Sequence, residues 1–535
     1  MLEFTISLKQ LKTVRDFISL HLVKVLVLAF AIVSINYYIS YFRNGLGLSY
    51  NDARSHLDIG RRVVEGLKPG LAQIGSVWLP LPHLLMIPTI WNDFMWHSGL
   101  AGAMQSMMAF VLSGLLIFKF LERLKVGLFG RIVGVAVFVA NLNILYLQST
   151  AMTELLLIAT MMAGSYYLLK WFQEDSVLDL VKSAFWIMLS TLVRYDGWFL
   201  LLLASALIFF WTLKKKGYSA SEGTSILFGT LAGFGVALWF LWNLLIFKDP
   251  LYFAFGPFSA HTQQESMVNS GVLVTKGNLL LSTKIYLLAL LYNSYTLPAI
   301  LALIGLVVFW KDKLTSLPTK IASLALLTPL VFNILALYLG HSVLFIQGLS
   351  GNTWFNVRYG VMVVPTIAIF IGFLVDRAKD LRWVITGLLA FVLFFAFANQ
   401  DAVTIDDARV GSSQKNVSEV SGWLAKNAKD KPGFVLISAA SHDAIIFSSG
   451  LPMKKFIHEG TGVYWESATL VPDRWARWII MRTYDNNDLS WAKVSRTKGF
   501  GYYMKVGEYP FADIYELRPE YLDDLITTPI FTKQK

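Results

Sequence analysis

"WLPLPHLLMIPTIW", Trp78 to Trp91, is the stretch on which the fold turns. It is apolar enough to invite a membrane crossing, yet it holds Pro80, Pro82 and Pro88 and has a tryptophan at each end. Proline removes a helix hydrogen bond and tryptophan favours the membrane interface, so the stretch reads as a broken interfacial helix. Were it a span, every later segment would change sides.

The chain around it has 535 residues, 55% hydrophobic and 15% charged, with a mean hydropathy of +0.55. Such values suit a polytopic α-helical membrane protein, in which each crossing takes roughly 20 mostly apolar residues. Eleven transmembrane helices are predicted, at about 20–42, 100–118, 132–147, 152–169, 183–193, 197–212, 225–247, 285–310, 321–340, 359–375 and 383–399. The first apolar run is long enough to stay as an anchor, and no small-residue cleavage site follows it.

Basic residues test this layout. With the N-terminus cytoplasmic, short inner segments hold 18: Lys9, Lys12, Arg15, Lys119, Arg123, Lys125, Arg131, Lys170, Lys182, Lys214, Lys215, Lys216, Lys311, Lys313, Lys320, Arg377, Lys379 and Arg382. Outer segments, over more chain, hold 10: Arg43, Arg54, Arg61, Arg62, Lys68, Arg194, Lys248, Lys276, Lys284 and Arg358. That is the positive-inside pattern, and reading 78–91 as a span would put Lys214–Lys216 outside. The net charge of +11 therefore belongs to cytoplasmic loops, and no nucleic-acid partner is expected. With no cysteine, thiolate ligands and cysteine nucleophiles are excluded.

After Asn399 the composition becomes that of a soluble domain. "VSEVSGWLAKNA" has helical spacing, "GFVLISAA" and "RWARWIIMR" read as buried strands, and "GYYMKVGEYPFADIYEL" reads as a hairpin. The expected organisation is a transmembrane domain over 1–400, with an outer loop at 43–99, and a small extracytoplasmic α/β domain over 401–535, in a cell membrane.

On this topology the unusual polar residues gather at the outer face. "NDARSHLDIGRR" brings Asp52, His56 and Asp58 just after span 1; Glu154 opens span 4; "LVRYDGW" sets Arg194 and Asp196 between spans 5 and 6; His341 ends span 9; Arg358 and Tyr359 begin span 10. From Lys182 to Leu213 only about 16 residues serve each crossing, or roughly 24 Å, so the turn at Arg194 and Asp196 is expected below the outer surface. Ionisable groups at that depth usually mark function. Structural readings stand beside each: Asp52 as the N-cap of an amphipathic helix, Arg194 paired with Asp196, Arg358 snorkelling to headgroups, Glu154 as a cap, His56 as a packed hydrogen-bond partner, and Asp58 with Arg61 or Arg62 as a solvated face.

"NDARSHLDIGRRVVEGLKPG…WLPLPHLL" resembles the first outer loop of GT-C glycosyltransferases, such as protein O-mannosyltransferases and lipid A aminoarabinose transferases. "STAMTELLL", "TLVRYDGW" and "NVRYGVMVVP" are similar to later motifs of that family, in the same order. The resemblance covers about residues 20–400 and implies transfer of a sugar from a polyprenyl-phosphate carrier. It places Asp52 at the aspartate after span 1, Glu154 at a later acidic position, and Arg194, Arg358, Tyr359 and Pro365 at family positions. Many relatives carry two adjacent acids after span 1, whereas Ala53 follows Asp52 here.

The chemistry so implied needs a base for the acceptor hydroxyl and cations for the leaving phosphate. Asp52 is the expected catalytic base, with His56 one turn away to orient it. Arg358, Arg194, Glu154, Asp196, Tyr359 and His56 are the expected substrate-binding residues. Inversion is expected, and no divalent metal or other cofactor. The partners are the lipid-linked donor, an acceptor that is a protein, lipid or glycan, and membrane lipids. "FAFGPFSAHTQQES" and "GHSVLFIQGLSGNTWFN" suit a sugar pocket or mobile lid. The competing class is a transporter or flippase of a lipid-linked saccharide; repeated halves, its usual mark, are not visible in the sequence.

Overall fold

The computed structural model describes residues 8–256, 259–269, 271–410 and 414–529. Among them, eight helices are long and apolar enough to cross a membrane, or nine when one bent pair counts as a span. The protein is a multi-pass membrane protein, with fewer full-length spans than the eleven expected. Two expected spans fall short. Residues 132–147 form two helices, Leu128–Val139 and Leu142–Leu147, broken where the Asn141 side chain caps the second by accepting from the Ile144 N–H. The expected span 183–193 falls on the helix Val177–Thr191, which ends before Leu192 and whose 15 residues span only about 22 Å. The expected single span at 285–310 is instead the pair Leu279–Ser294 and Thr296–Lys311, bent by 108°. Tyr295 turns that corner at φ +64°.

The stretch 78–91 is short and interfacial in form. Its helix, Leu81–Ile90, has ten residues with Pro82 near its start and Pro88 inside. The Leu81 N–H donates to the Leu192 carbonyl at 3.0 Å. The start of this helix thereby closes the turn between Val177–Thr191 and Asp196–Lys216.

The helix Val357–Arg377 lies at the centre, with 89% of its most apolar window buried. It begins as a 3₁₀ turn, Val357–Val363, before the α-helix Val364–Arg377, which carries Pro365 in its first turn. Gly360 admits this turn: a Cβ there would lie 2.4 Å from the Ala289 carbonyl oxygen. Gly197 does the same at the start of Asp196–Lys216, where a Cβ would lie 2.4 Å from the Ser190 backbone. Small residues let helix backbones approach this closely.

The C-terminal part builds a mixed sheet of β1 (Phe434–Ile437), β2 (Phe456–Ile457), β3 (Ala476–Met481), β4 (Tyr503–Gly507) and β5 (Asp513–Leu517), in the order β2-β1-β3-β5-β4. β2 and β3 run parallel to β1, and β5 runs antiparallel to both β3 and β4. Side chains alternate between faces along a strand. Val435, Ile437, Trp478, Ile480 and Ile514 join one core with the helical bundle, while Leu436, Ile479, Met481 and Leu517 form a second core with Trp465 and Val494. Before the sheet, the helix Val403–Val410 turns back onto the bundle: the Thr404 N–H and hydroxyl both donate to Asn143 Oδ1, at 3.0 and 2.9 Å.

Candidate active site

Four distant segments converge on Arg358. The 3₁₀ turn delivers its guanidinium into the bundle, and the residue is 5% exposed. Snorkelling is therefore not its role. Its Nη2 donates to Asp52 Oδ2 at 2.5 Å and its Nε to Glu154 Oε1 at 3.1 Å. Asp407 Oδ2 lies 3.9 Å from Nη1 and accepts the Arg358 main-chain N–H at 3.4 Å. Beneath the guanidinium lies the Tyr50 ring, 4.8 Å away, and the Tyr359 ring is 5.3 Å away.

Arg194 completes the cluster from the turn before Asp196–Lys216. Its Nη1 is 3.4 Å from Glu154 Oε1 and its Nε is 3.5 Å from Asp196 Oδ2, with the guanidinium 4.8 Å from the Tyr359 ring. The pairing with Asp196 is real, but it is one arm of a larger network. Glu154 sits between the two arginines, fully buried, and its Oε2 has no hydrogen-bond partner. It occupies the first turn of Glu154–Glu174 without capping it. Asp196 also receives Asn333 Nδ2 at 3.5 Å.

Asp52 lies in the first turn of Asn51–Val64; the N-cap is Tyr50, so the carboxylate is free of capping and turns to Arg358. Its side chain is 43% exposed, against 6% for Arg358 and none for Glu154. Asp52 is thus the open edge of the cluster. A pocket lined by Tyr50, Asn51, Asp52, Phe355, Asn356, Arg358 and Asp407 leads to it. Phe355 and Asn356 come from the loop expected to form part of a sugar pocket; in the other such loop, Pro257 and Phe258 lie outside the described residues.

His56 does not orient Asp52. Its Nδ1 is hydrogen-bonded to His83 Nε2 at 2.9 Å, and its ring packs against that of Trp78, tilted, with centroids 4.2 Å apart. Burial, and then the charges of Arg194 and Arg358, push its imidazole down to about 3, so it stays neutral. It ties the Asp52 helix to the interfacial segment. His341 is exposed, its carbonyl accepting from Gln264.

The expected solvated face of Asn51–Val64 is instead an interface. Trp96 Nε1 donates to the fully buried Asp58, Arg61 holds the Ile90 and Trp91 carbonyls and Asp93, and Arg62 lies 3.5 Å from Asp443 of the C-terminal part. Burial, and then the charge of Asp443, push Asp58 well above the usual carboxylate range, and burial pushes Asp443 up to about 6. The polar side of an amphipathic helix met partners the sequence did not advertise. Asp407 was missed for a similar reason, since "TIDDARV" lies in the segment read as soluble.

Among the described residues no three His, Asp or Glu side chains are placed to hold a metal ion. The carboxylates face guanidinium groups instead.

No protein-family profile matches the chain, and no curated protein matches it in sequence. Solved structures do. ArnT from Cupriavidus metallidurans, an aminoarabinose transferase, is similar in its apo state with a TM-score of 0.57 at 11% identity. The same protein bound to undecaprenyl phosphate gives 0.55 at 10%; in both cases 92% of this chain covers 98% of that one. The oligosaccharyltransferase of Archaeoglobus fulgidus, solved with zinc and sulfate, gives 0.50 at 11%, over 91% of this chain and 72% of that one. Over 91–92% of its length this chain therefore shares the fold of these structures, the fold that its resemblance to GT-C enzymes implies.

Proposed function

We propose that the protein is an integral membrane glycosyltransferase that moves a sugar from a polyprenyl-phosphate carrier to an acceptor at the outer face. One observation carries the reading: a buried arginine, Arg358, meets the pocket through a half-exposed carboxylate, Asp52, held at 2.5 Å. Each neutralises the other. A lipid phosphate reaching the pocket competes for the arginine fork, which binds phosphate oxygens in two-point fashion. Asp52 then leaves Nη2 and stands free beside the donor.

The freed carboxylate removes the proton from an acceptor hydroxyl. The acceptor oxygen bonds to the anomeric carbon while the bond from that carbon to the phosphate oxygen breaks, its electron pair passing to the phosphate. Arg358, supported by Arg194 across Glu154, stabilises the charge that grows there. A single displacement from the opposite face inverts the anomeric centre. Likeness to ArnT, solved with undecaprenyl phosphate, favours this donor class.

Asp52→Asn tests the reading. Asparagine keeps the shape and removes the basicity, so donor binding and folding should persist while turnover falls by roughly 10²–10⁴. Turnover near the wild-type value would leave Asp52 as a mere partner of Arg358. Activity that a chelator abolishes and a divalent ion restores would make Asp52 a metal ligand.

A further inference from the structure

The cluster holds more acid than an anion-binding site should tolerate. Asp52, Glu154, Asp196 and Asp407 face only two guanidinium groups, those of Arg194 and Arg358. Three of the four touch Arg358, and they differ in access. Asp52 is 43% exposed, whereas Glu154 and Asp407 are buried. An incoming phosphate can therefore displace only Asp52.

Asp407 is held where it is by others. The Tyr50 hydroxyl lies 3.1 Å from its Oδ2 and also donates to the Thr404 carbonyl at 2.8 Å. The Arg358 main-chain N–H reaches the same oxygen. Asp407 thus grips the backbone of Arg358 as well as facing its guanidinium, and it comes from Val403–Val410, beyond the last span. The pocket's second carboxylate, which Ala53 does not supply beside Asp52, arrives from 355 residues later in the chain (407 minus 52).

We infer that Asp407 is a positioning residue of the site, fixing Arg358 from behind when a lipid phosphate displaces Asp52 and, by its charge, limiting how tightly that phosphate is held. The inference rests on the donor reading above and deepens it. The limit on affinity matters because transfer turns a phosphodiester with one negative charge into a phosphomonoester with up to two. Without a counter-charge, two arginines would hold the spent carrier more tightly than the donor, since attraction grows with the charge held.

The test is binding of a sugar-free polyprenyl phosphate to the full-length protein in lipid nanodiscs, with melting temperature measured in parallel. Asp407→Asn keeps an acceptor for Tyr50 and the Arg358 N–H but removes the charge. It should bind the lipid phosphate about threefold or more tighter than wild type, the effect of one partly screened unit charge a few ångströms away. Asp407→Ala removes charge and acceptor together, leaves the Arg358 N–H unpaired, and should bind about tenfold more weakly than Asp407→Asn. A purely structural Asp407 would lower the melting temperature and leave the affinity of the folded protein unchanged. Folded Asp407→Asn binding no tighter than wild type overturns the inference, and that variant alone decides if the alanine variant does not fold. Wild type that binds no polyprenyl phosphate overturns the donor reading itself, and this inference with it.

Discussion

Removing Arg358 is the sharpest perturbation the site offers. Arg358→Ala strands three carboxylates, of which Glu154 is fully buried and already has one oxygen without a partner. Breaking a buried ion pair from one side costs about 3–5 kcal/mol. The lower end applies here, because Asp52 is half-open to solvent and Glu154 keeps Arg194 at 3.4 Å. A loss of about 3 kcal/mol of stability follows. Donor affinity falls for a separate reason: two charge-assisted hydrogen bonds to phosphate, each about 1.5–3 kcal/mol, give way to partial replacement by water. Taking about 3 kcal/mol as the net, Kd rises roughly 150-fold. Arg358→Lys keeps the charge and loses the fork, and should end about tenfold weaker than wild type. The two effects separate in the double variant Arg358→Ala/Glu154→Gln, which removes the stranded buried charge. It should regain about 2 kcal/mol of stability, the usual cost of such a group, but only about threefold of the donor affinity, the effect of one lost negative charge nearby. Titration of polyprenyl phosphate into nanodisc-embedded variants, with thermal unfolding on the same samples, reads both quantities. A folded Arg358→Ala protein binding the lipid within threefold of wild type refutes the assignment.

Two further outcomes are expected. Protease added to intact spheroplasts should cleave within residues 401–535, whereas protection there with cleavage at Lys214–Lys216 would invert the topology and move the site to the cytoplasmic face. The seam between Asn51–Val64 and the C-terminal part should loosen with rising pH. Asp443 is raised from 3.8 to about 6, so the docked state holds a proton that the undocked state releases, and that stabilisation is complete below 3.8 and is lost as pH rises to about 6. Hydrogen exchange over Ala439–Ser449 at pH 5 and pH 8, corrected for intrinsic rates, should show faster opening at pH 8. Asp443→Asn should shrink the difference, buried Asp58 keeping the rest, and a wild type without any difference would refute the reasoning.

The bundle was legible in sequence because long apolar runs and basic loops follow from the bilayer itself. The C-terminal strands were legible because buried β-branched and aromatic runs alternate with turn residues. Residues 132–147 and 285–310 read as unbroken helices in the sequence for one reason: an apolar count ignores where backbone can bend inside a bundle. Asn141 and Tyr295 bend it there, and their neighbours satisfy the freed groups. Asp52, Glu154, Arg194 and Arg358 could be found because charge is conspicuous among apolar residues. Asp407, Tyr50 and His83 could not, since an acid in a polar segment, a tyrosine and a histidine beside prolines stand out only once the chain is folded. Nor does a helical wheel reveal that Asp58, Arg61 and Arg62 face protein rather than water.

The break at Asn141 bears on how the protein is made. Asn141 Nδ2 and Asn143 Nδ2 donate to the Asn293 carbonyl, at 2.8 and 3.2 Å, and Asn143 Oδ1 waits for the amide and hydroxyl of Thr404. Open backbone and bare amides are tolerated at membrane depth only inside protein. During synthesis, then, a helix pair inserted early carries unmet polar groups until two much later stretches of chain have left the ribosome. The site around Arg358 closes in that same final step, because Thr404 and Asp407 lie on one turn of helix. Newly made chains thus hold every membrane helix before the cluster around Arg358 is complete.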